Sequence, residues 1–259
     1  MASIALPVYP GVALRRGAVG VDTALIQTEL TAFGFVVTVD GIYGNGTTKA
    51  VVAYQATRGL EADGVVGKIT WDKMIGEYAA KFPSNPVPYP GIVMNPGALG
   101  SCVKWFQTNQ NGLRTLYPAQ PQLAGDGVYG SGTTQAARLF QRQFGLGIDG
   151  QVGKNTWTTF SSVLMAQAQG SPAKVKPVYP GSPLQQGSSG DSVRCVQSYL
   201  AVVKQKNGLN YPTPSIDGIF GSVTKSAVIG FQAAYSLKID GIVGSGTWQK
   251  LVQEFNMTL

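Results

Sequence analysis

The sequence predicts an all-α chain of three tandem small three-helix-bundle repeats joined by Pro-rich linkers. Three observations carry that expectation. The pattern D-G-x-x-G-x-x-T starts at Asp40, Asp63, Asp126, Asp149, Asp217 and Asp240, in three pairs whose Asp residues are 23 positions apart. A Tyr-Pro-Gly segment precedes each pair, at Tyr9, Tyr89 and Tyr179. An apolar stripe at helical period follows each such segment. The expected repeats span 1–82, 83–171 and 172–259, near the lower end of ordinary domain size.

Each repeat opens on Val8-Tyr9-Pro10-Gly11, Pro88-Tyr89-Pro90-Gly91 or Val178-Tyr179-Pro180-Gly181. Proline holds these stretches extended and blocks helix continuation, so they read as semi-rigid linkers that hold the domains apart with limited swing. A first helix is expected over 20–33, 100–110 and 190–205. Its stripe is Thr23, Ile26 and Leu30 in the first repeat and Val193, Val196 and Leu200 in the third. In the second, Gln110 breaks the stripe of Val103 and Phe106, and Trp105 is expected to turn inward in compensation. A glutamine, Gln27, Gln107 or Gln197, accompanies each stripe. The Pro-, Gly- and Asn-rich insertions 111–123 and 206–215 read as surface loops.

The motif itself is turn chemistry. Asp bonds nearby backbone N–H groups, Gly accepts positive φ, and Thr suits capping or first-turn bonding at a helix start. The apolar residue after the first Gly (Ile42, Val65, Val128, Ile219 or Ile242, with Gln151 the exception) is expected to plug the core. The first motif of a pair feeds a long helix, from Thr47, Thr133 or Thr224, carrying Tyr54-Gln55, Phe140-Gln141 or Phe231-Gln232. The second feeds a shorter helix with Trp71, Trp157 or Trp248 at core spacing. Three helices joined by two turns make one bundle per repeat.

Composition bounds the chemistry. With 44% hydrophobic and 13% charged residues, the 259-residue chain can fill cores. The net charge of +7 suits an anionic polymer, but its cations are scattered without the stripe that nucleic-acid binding needs. The chain has no histidine, which removes zinc-hydrolase and Ser-His-Asp or Cys-His arrangements. The repeated Asp residues are explained by turns, and one Asp per loop is too few oxygen ligands for calcium. No metal or other cofactor is expected. Cys102 and Cys195 fall at different offsets in their repeats and read as small, partly buried thiols. Met1 to Leu6 is short, uncharged and interrupted by Pro7, so no signal peptide is expected, and without a run of about 18 apolar residues no membrane span is expected either.

Each unit thus carries a G-x-x-x-x-x-x-Q helix, then D-G-x-[YF]-G-x-x-T, an aromatic-Gln pair and a second D-G motif ending in Thr-Trp. This resembles the peptidoglycan-binding domain family found beside bacterial wall amidases, carboxypeptidases and phage endolysins. The Tyr-Pro-Gly linkers are similar to those of Gram-positive wall proteins and phage lysins. Gln110, Gln151 and Tyr54 depart from the family pattern in the first two units.

The resemblance implies a binder of peptidoglycan working at the cell wall outside the cytoplasm. The missing histidine makes the expected binder non-catalytic, the basic charge favours anionic wall polymers as well, and a monomer is expected. Three linked weak sites would give avidity. Two other readings stand beside it: the targeting portion or subunit of a zinc amidase, peptidase or endolysin, and a structural or regulatory protein-interaction module of a phage particle or pro-domain. For binding, Tyr43, Tyr129 and Phe220 occupy a slot that is Val in the second motifs. Their rings either stack on sugar or fold back onto the bundle. Asn45, Ser131 and Ser222, with Thr48, Thr134 and Lys225, are candidates to bond N-acetyl or peptide groups. Gln55, Gln141 and Gln232 are expected to tie the loop backbone from inside.

Overall fold

The structure, a computed structural model, describes residues 4–259. Met1 to Ser3, the start of the segment considered above for a signal peptide, lie outside the described residues. Among those described are nine helices and no strand beyond isolated β-bridges. They fall into three successive sets. The first is α1 (Val21–Ala32), α2 (Asn45–Thr57) and α3 (Lys68–Lys81). The second is α4 (Ser101–Leu113), α5 (Ser131–Gln143) and α6 (Lys154–Ala168). The third is α7 (Asp191–Asn207), α8 (Ser222–Ala234) and α9 (Ser245–Thr258). By contacts the chain divides into two units. One comprises Met1–Gly112, Gln122–Ala137 and Asp149–Gly170; the other comprises Leu113–Pro121, Arg138–Ile148 and Ser171–Leu259.

One buried glutamine organises each motif. Gln27 Nε2 donates to Asp40 Oδ1 (2.9 Å), Ile42 O (3.0 Å) and Thr47 Oγ1 (3.0 Å). Its Oε1 accepts from the N–H groups of Asp40 and Gly41. Asp40 Oδ1 also accepts from Ile42 N, closing the turn. The Asp, Gly and Thr of the pattern are therefore the groups that saturate one side-chain amide inside the fold. Gln55, Gln107, Gln197 and Gln232 repeat the arrangement at their own motifs. Gln141 is buried at the sixth position. The glycine after Asp has φ of +73° at Gly41, where an added Cβ would come 3.2 Å from Gly20 O. Both the conformation and the close approach disfavour a larger residue there.

The helices fed by the motifs start earlier than expected. The second motif glycine is the N-cap (Gly44, φ −93°, ψ −169°), without any side-chain cap. Thr47 therefore lies inside the first turn and bonds the glutamine. The helices after the second motif, at 14, 15 and 14 residues, are not shorter than the 13-residue helices after the first.

Two further expectations are corrected. The Tyr-Pro-Gly segments are docked elements and not spacers. Trp71 Nε1 donates to Pro7 O (3.2 Å), Trp157 Nε1 to Val87 O (3.3 Å) and Trp248 Nε1 to Pro177 O (3.2 Å). The edges of Tyr9, Tyr89 and Tyr179 rest on the same three indoles. Each Trp is thus a buried core residue whose one polar atom is satisfied by the incoming chain. The insertions also contribute to packing. Tyr117 is buried and donates to Ala173 O (2.6 Å), while Tyr211 is buried and donates to Leu200 O (2.9 Å). Trp105 does turn inward, stacking on Trp157 at 4.5 Å.

Beyond the docked segment, residues 14–19 form a strap across both turns of the first repeat. Leu14 pairs with Val66 and Val19 with Ile42 in antiparallel bridges. Met94 with Val152 and Leu99 with Val128 repeat this, as do Leu184 with Val243 and Ser189 with Ile219. Extended backbone alternates its side chains, so if the residue after Ile42 points inward, Ile42 must point out.

Candidate ligand-binding surface

The alternation decides where the predicted site residues lie. Tyr43, Tyr129 and Phe220 are each 1% exposed. The Tyr43 hydroxyl donates to Gly64 O and the Tyr129 hydroxyl to Gly150 O, both at 2.8 Å. Each of these two aromatic residues spans from the first motif of its repeat to the glycine of the second. Burial, with the nearby Asp63 or Asp149 charge, pushes both phenols up and keeps them protonated. Stacking of these rings on a sugar is excluded in this conformation: they fold back onto the bundle. The slot differs between paired copies because the first motif must reach across the core, whereas Val66, Val152 and Val243 fill a smaller space.

In the first motif of each pair the residue expected to plug the core is outside instead, while Val65 and Ile242 of the second motifs are half-buried. Ile42 is 52% exposed beside Val19 at 74%. Val128 with Leu99, and Ile219 beside Ser189, repeat the position. Every repeat therefore presents an apolar side chain at the bridge between strap and first turn. Sequence reasoning missed this ridge; the pairing of residue 19 with residue 42 was its signal, and it is non-local.

The other predicted residues lie on the helix starts that follow these turns. Asn45, Ser131 and Ser222 are the exposed first residues of α2, α5 and α8. Thr48 and Thr134 are half-buried, their hydroxyls donating to Gly44 O and Gly130 O at 3.0 Å. Lys225 is half-buried, its stem against Gly241 of the second motif. Gln55 and Gln232 are held by the backbone and motif side chains, as expected. Cys102 and Cys195 are buried free thiols, and burial raises both.

A cavity of about 270 Å³ lies in the first unit between residues 8–10 and the first motif of the second repeat. Lys104 and Asp126 are among its lining residues. Among the described residues there is no cluster of three metal-ligating side chains. No helix among them is long and apolar enough to cross a membrane.

Comparison with known proteins places the chain beside bacterial wall amidases in sequence. The chain is 36% identical over 165 residues to a probable N-acetylmuramoyl-L-alanine amidase of Bacillus licheniformis, covering 60% of this chain and 46% of the relative. It is 31% identical over 169 residues to the N-acetylmuramoyl-L-alanine amidase CwlL of Bacillus licheniformis, covering 62% and 45%. The chain thus spans less than half the length of these relatives. The solved N-terminal domain of SleB is 35% identical, covering 30% of this chain and 99% of that one, with a TM-score of 0.26. A profile of the family described as "Putative peptidoglycan binding domain" matches residues 19–74, 103–159 and 189–251. With more than half of its residues inside those three matches, the chain belongs to the peptidoglycan-binding domain family, in three tandem copies.

Proposed function

We propose that the chain is a non-catalytic binder of bacterial peptidoglycan that uses its three repeats for avidity at the cell wall. One observation carries the reading: the family's binding domain occurs three times, and each copy presents the same exposed turn. The Asp, Gly, Thr and Gln of the first motif are engaged in one another's hydrogen bonds, and this structural role supports the non-catalytic reading. The absence of histidine from the sequence supports the same conclusion.

Binding is assigned to the turn surface. Ile42, Val128 and Ile219 offer apolar contact for a sugar face or an alanyl methyl. Asn45, Ser131, Ser222, Thr48, Thr134 and Lys225 offer hydrogen bonds to N-acetyl, peptide and carboxylate groups. The +7 charge adds a salt-sensitive attraction to anionic wall polymers. Linking three weak sites raises overall affinity because the later contacts are intramolecular.

A second reading rests on the similarity to the two amidases: the chain serves as the targeting part or subunit of a wall hydrolase. Co-sedimentation with purified peptidoglycan across a salt series, with a zymogram alongside, tests both. Pelleting without clearing is expected. Clearing by the purified chain would overturn the non-catalytic assignment, and failure to pellet with any wall would overturn wall binding. A triple variant, Ile42→Ser, Val128→Ser and Ile219→Ser, is expected to pellet at least about tenfold less, the effect of losing roughly 1.4 kcal/mol.

A further inference from the structure

The geometry points to a binding site for a zwitterionic peptide end in the cavity between the Val8–Pro10 segment and the first motif of the second repeat. Its source as a wall stem peptide rests on the wall-binding reading above, but the site is built by two repeats together and belongs to neither alone.

The wall from the first repeat is the docked entry segment, held in place by Trp71 from one side. Ser101 Oγ fixes it from the other by donating to Val8 O. The opposite wall is the Leu99–Val128 bridge, with its exposed apolar side chains. Lys104 and Asp126 supply opposite charges to the lining. Lys104 is exposed and pairs with no carboxylate among the described residues, its Cβ standing over Gly127. Asp126 uses only Oδ1 in its turn, accepting from Val128 N (2.9 Å) and Gln107 Nε2 (3.0 Å). Its Oδ2 has no partner among the described residues and is open to a ligand. The cavity is therefore a small, largely polar cleft with a cation and an anion on its lining and the Leu99 and Val128 side chains on one wall.

Size narrows the ligand. Pockets for drug-sized molecules run from about 300 to 1,000 Å³, and this one holds about 270 Å³. It suits one or two amino-acid residues and not a length of glycan. The matching chemistry is a short peptide with a free ammonium, a free carboxylate and a methyl group between them. Lys104 takes the carboxylate, Asp126 Oδ2 takes the ammonium, and Leu99 and Val128 take the methyl.

The other repeats lack this combination. Where the second repeat has Lys104, the first has Ala24, which is buried. A Cβ at Gly41 would lie 3.1 Å from Ile92 Cδ1, so a side chain occupies the corresponding space. The third repeat has Arg194, whose guanidinium is engaged with Ile216 O (2.7 Å) and Asp217 O (3.1 Å).

The test is an NMR titration of the full chain with Nα-acetyl-L-lysyl-D-alanine, which carries a free ε-ammonium and a free carboxylate. Saturable shifts at Leu99–Lys104 and Asp126–Val128 are expected. Blocking either end, as the C-terminal amide or the ε-acetyl derivative, is expected to weaken binding about tenfold. Lys104→Glu is expected to weaken the free peptide by at least about tenfold while leaving the fold intact, since the side chain is exposed. Asp126→Asn keeps the Oδ1 acceptor of the turn and should lose preference for the free ammonium. Absence of shifts at those residues, equal binding of the blocked peptides, or an unchanged Lys104→Glu would each overturn the site. Wall co-sedimentation run in parallel separates the two readings: pelleting without peptide binding removes only the site, and peptide binding without pelleting removes only wall attachment.

Discussion

The Asp22 carboxylate accepts the backbone N–H groups of Ser101 (2.7 Å) and Cys102 (3.0 Å), so a side chain of the first repeat caps the first helix of the second. Those N–H groups have no partner within α4, and their dipoles favour an anion. Around this contact Cys102 Sγ lies 3.8 Å from Val21 O, and Ala5 N donates to Asn109 Oδ1. The first two repeats are therefore joined by packed, hydrogen-bonded contact at α1 and α4, and not only by chain connection.

Asp22→Ala is expected to destabilise the first unit by about 2 kcal/mol, because two buried N–H groups lose their acceptor. Chemical denaturation measures the loss, and amide exchange at Ser101 and Cys102 localises it. Unchanged protection of those two amides would mean that the carboxylate is incidental to the joint.

One helical stretch along α1, Glu29 is buried and neither carboxyl oxygen has a hydrogen bond among the described residues. Burial pushes its carboxyl well above the ordinary range. The groups that feel its charge, Tyr54, Tyr78 and Cys102, supply no cation to hold it ionised. A carboxyl raised in the fold contributes stability below its unfolded pKa of about 4.3, and that contribution is lost as pH rises through the folded value. Glu29→Met should therefore be more stable than the parent at pH 8, by about 1–3 kcal/mol. The gap should narrow towards pH 5. A gap independent of pH would show that the carboxyl does not titrate inside the fold.

The glutamine hub makes an opposite prediction at acid pH. Asp40, Asp126, Asp217 and Asp240 are each held below the ordinary carboxylate range, first by a turn N–H and then by the hub amide. Depressed carboxyls contribute stability above their unfolded pKa, about 3.9, and lose it as pH falls through the folded value. Melting temperature should drop below about pH 4 in steps common to all repeats. Gln27→Leu removes the hub itself and leaves the buried Gly41 N–H without its acceptor, at an expected cost of about 2–4 kcal/mol. Urea denaturation reads that cost, and a loss under about 0.5 kcal/mol, the range of surface substitutions, would sink the hub as an organising contact.

Much of this architecture is legible in the sequence because its determinants are local and repeated. Asp40, Gly41 and Thr47 are a turn wherever they occur, and Trp71 and the aromatic at Tyr54 recur at fixed distances from them, while Gln27 recurs on the first helix ahead of a connection of variable length. What fails to show depends on partners far along the chain. Ile42 faces solvent because Val19 pairs with it, and the reading of Ile42 as core took the slot one residue out of phase. Asp22 looks like a first-turn acid of its own helix, yet its partners are 79 and 80 positions away. Tyr9 and Tyr89 look like linker residues until Trp71 and Trp157 are placed beneath them.

The phase of the turn also separates structure from binding in a single repeat. Tyr43→Phe keeps the buried ring and removes only the hydroxyl that donates to Gly64 O. It should cost about 1 kcal/mol of stability and leave wall pelleting unchanged; Phe220 already fills this slot without a hydroxyl. Tyr43→Ala removes the ring from the core and should cost about 3–5 kcal/mol, so any lost pelleting there would report unfolding. Ile42→Ser, on the neighbouring exposed position, should do the reverse: stability within about 0.5 kcal/mol of the parent and weaker pelleting. Paired melting curves and wall-binding isotherms for the three variants decide it. If Tyr43→Phe weakens binding while Ile42→Ser does not, the ligand contacts lie on the inward-facing side of the turn, and the exposed ridge has no part in recognition.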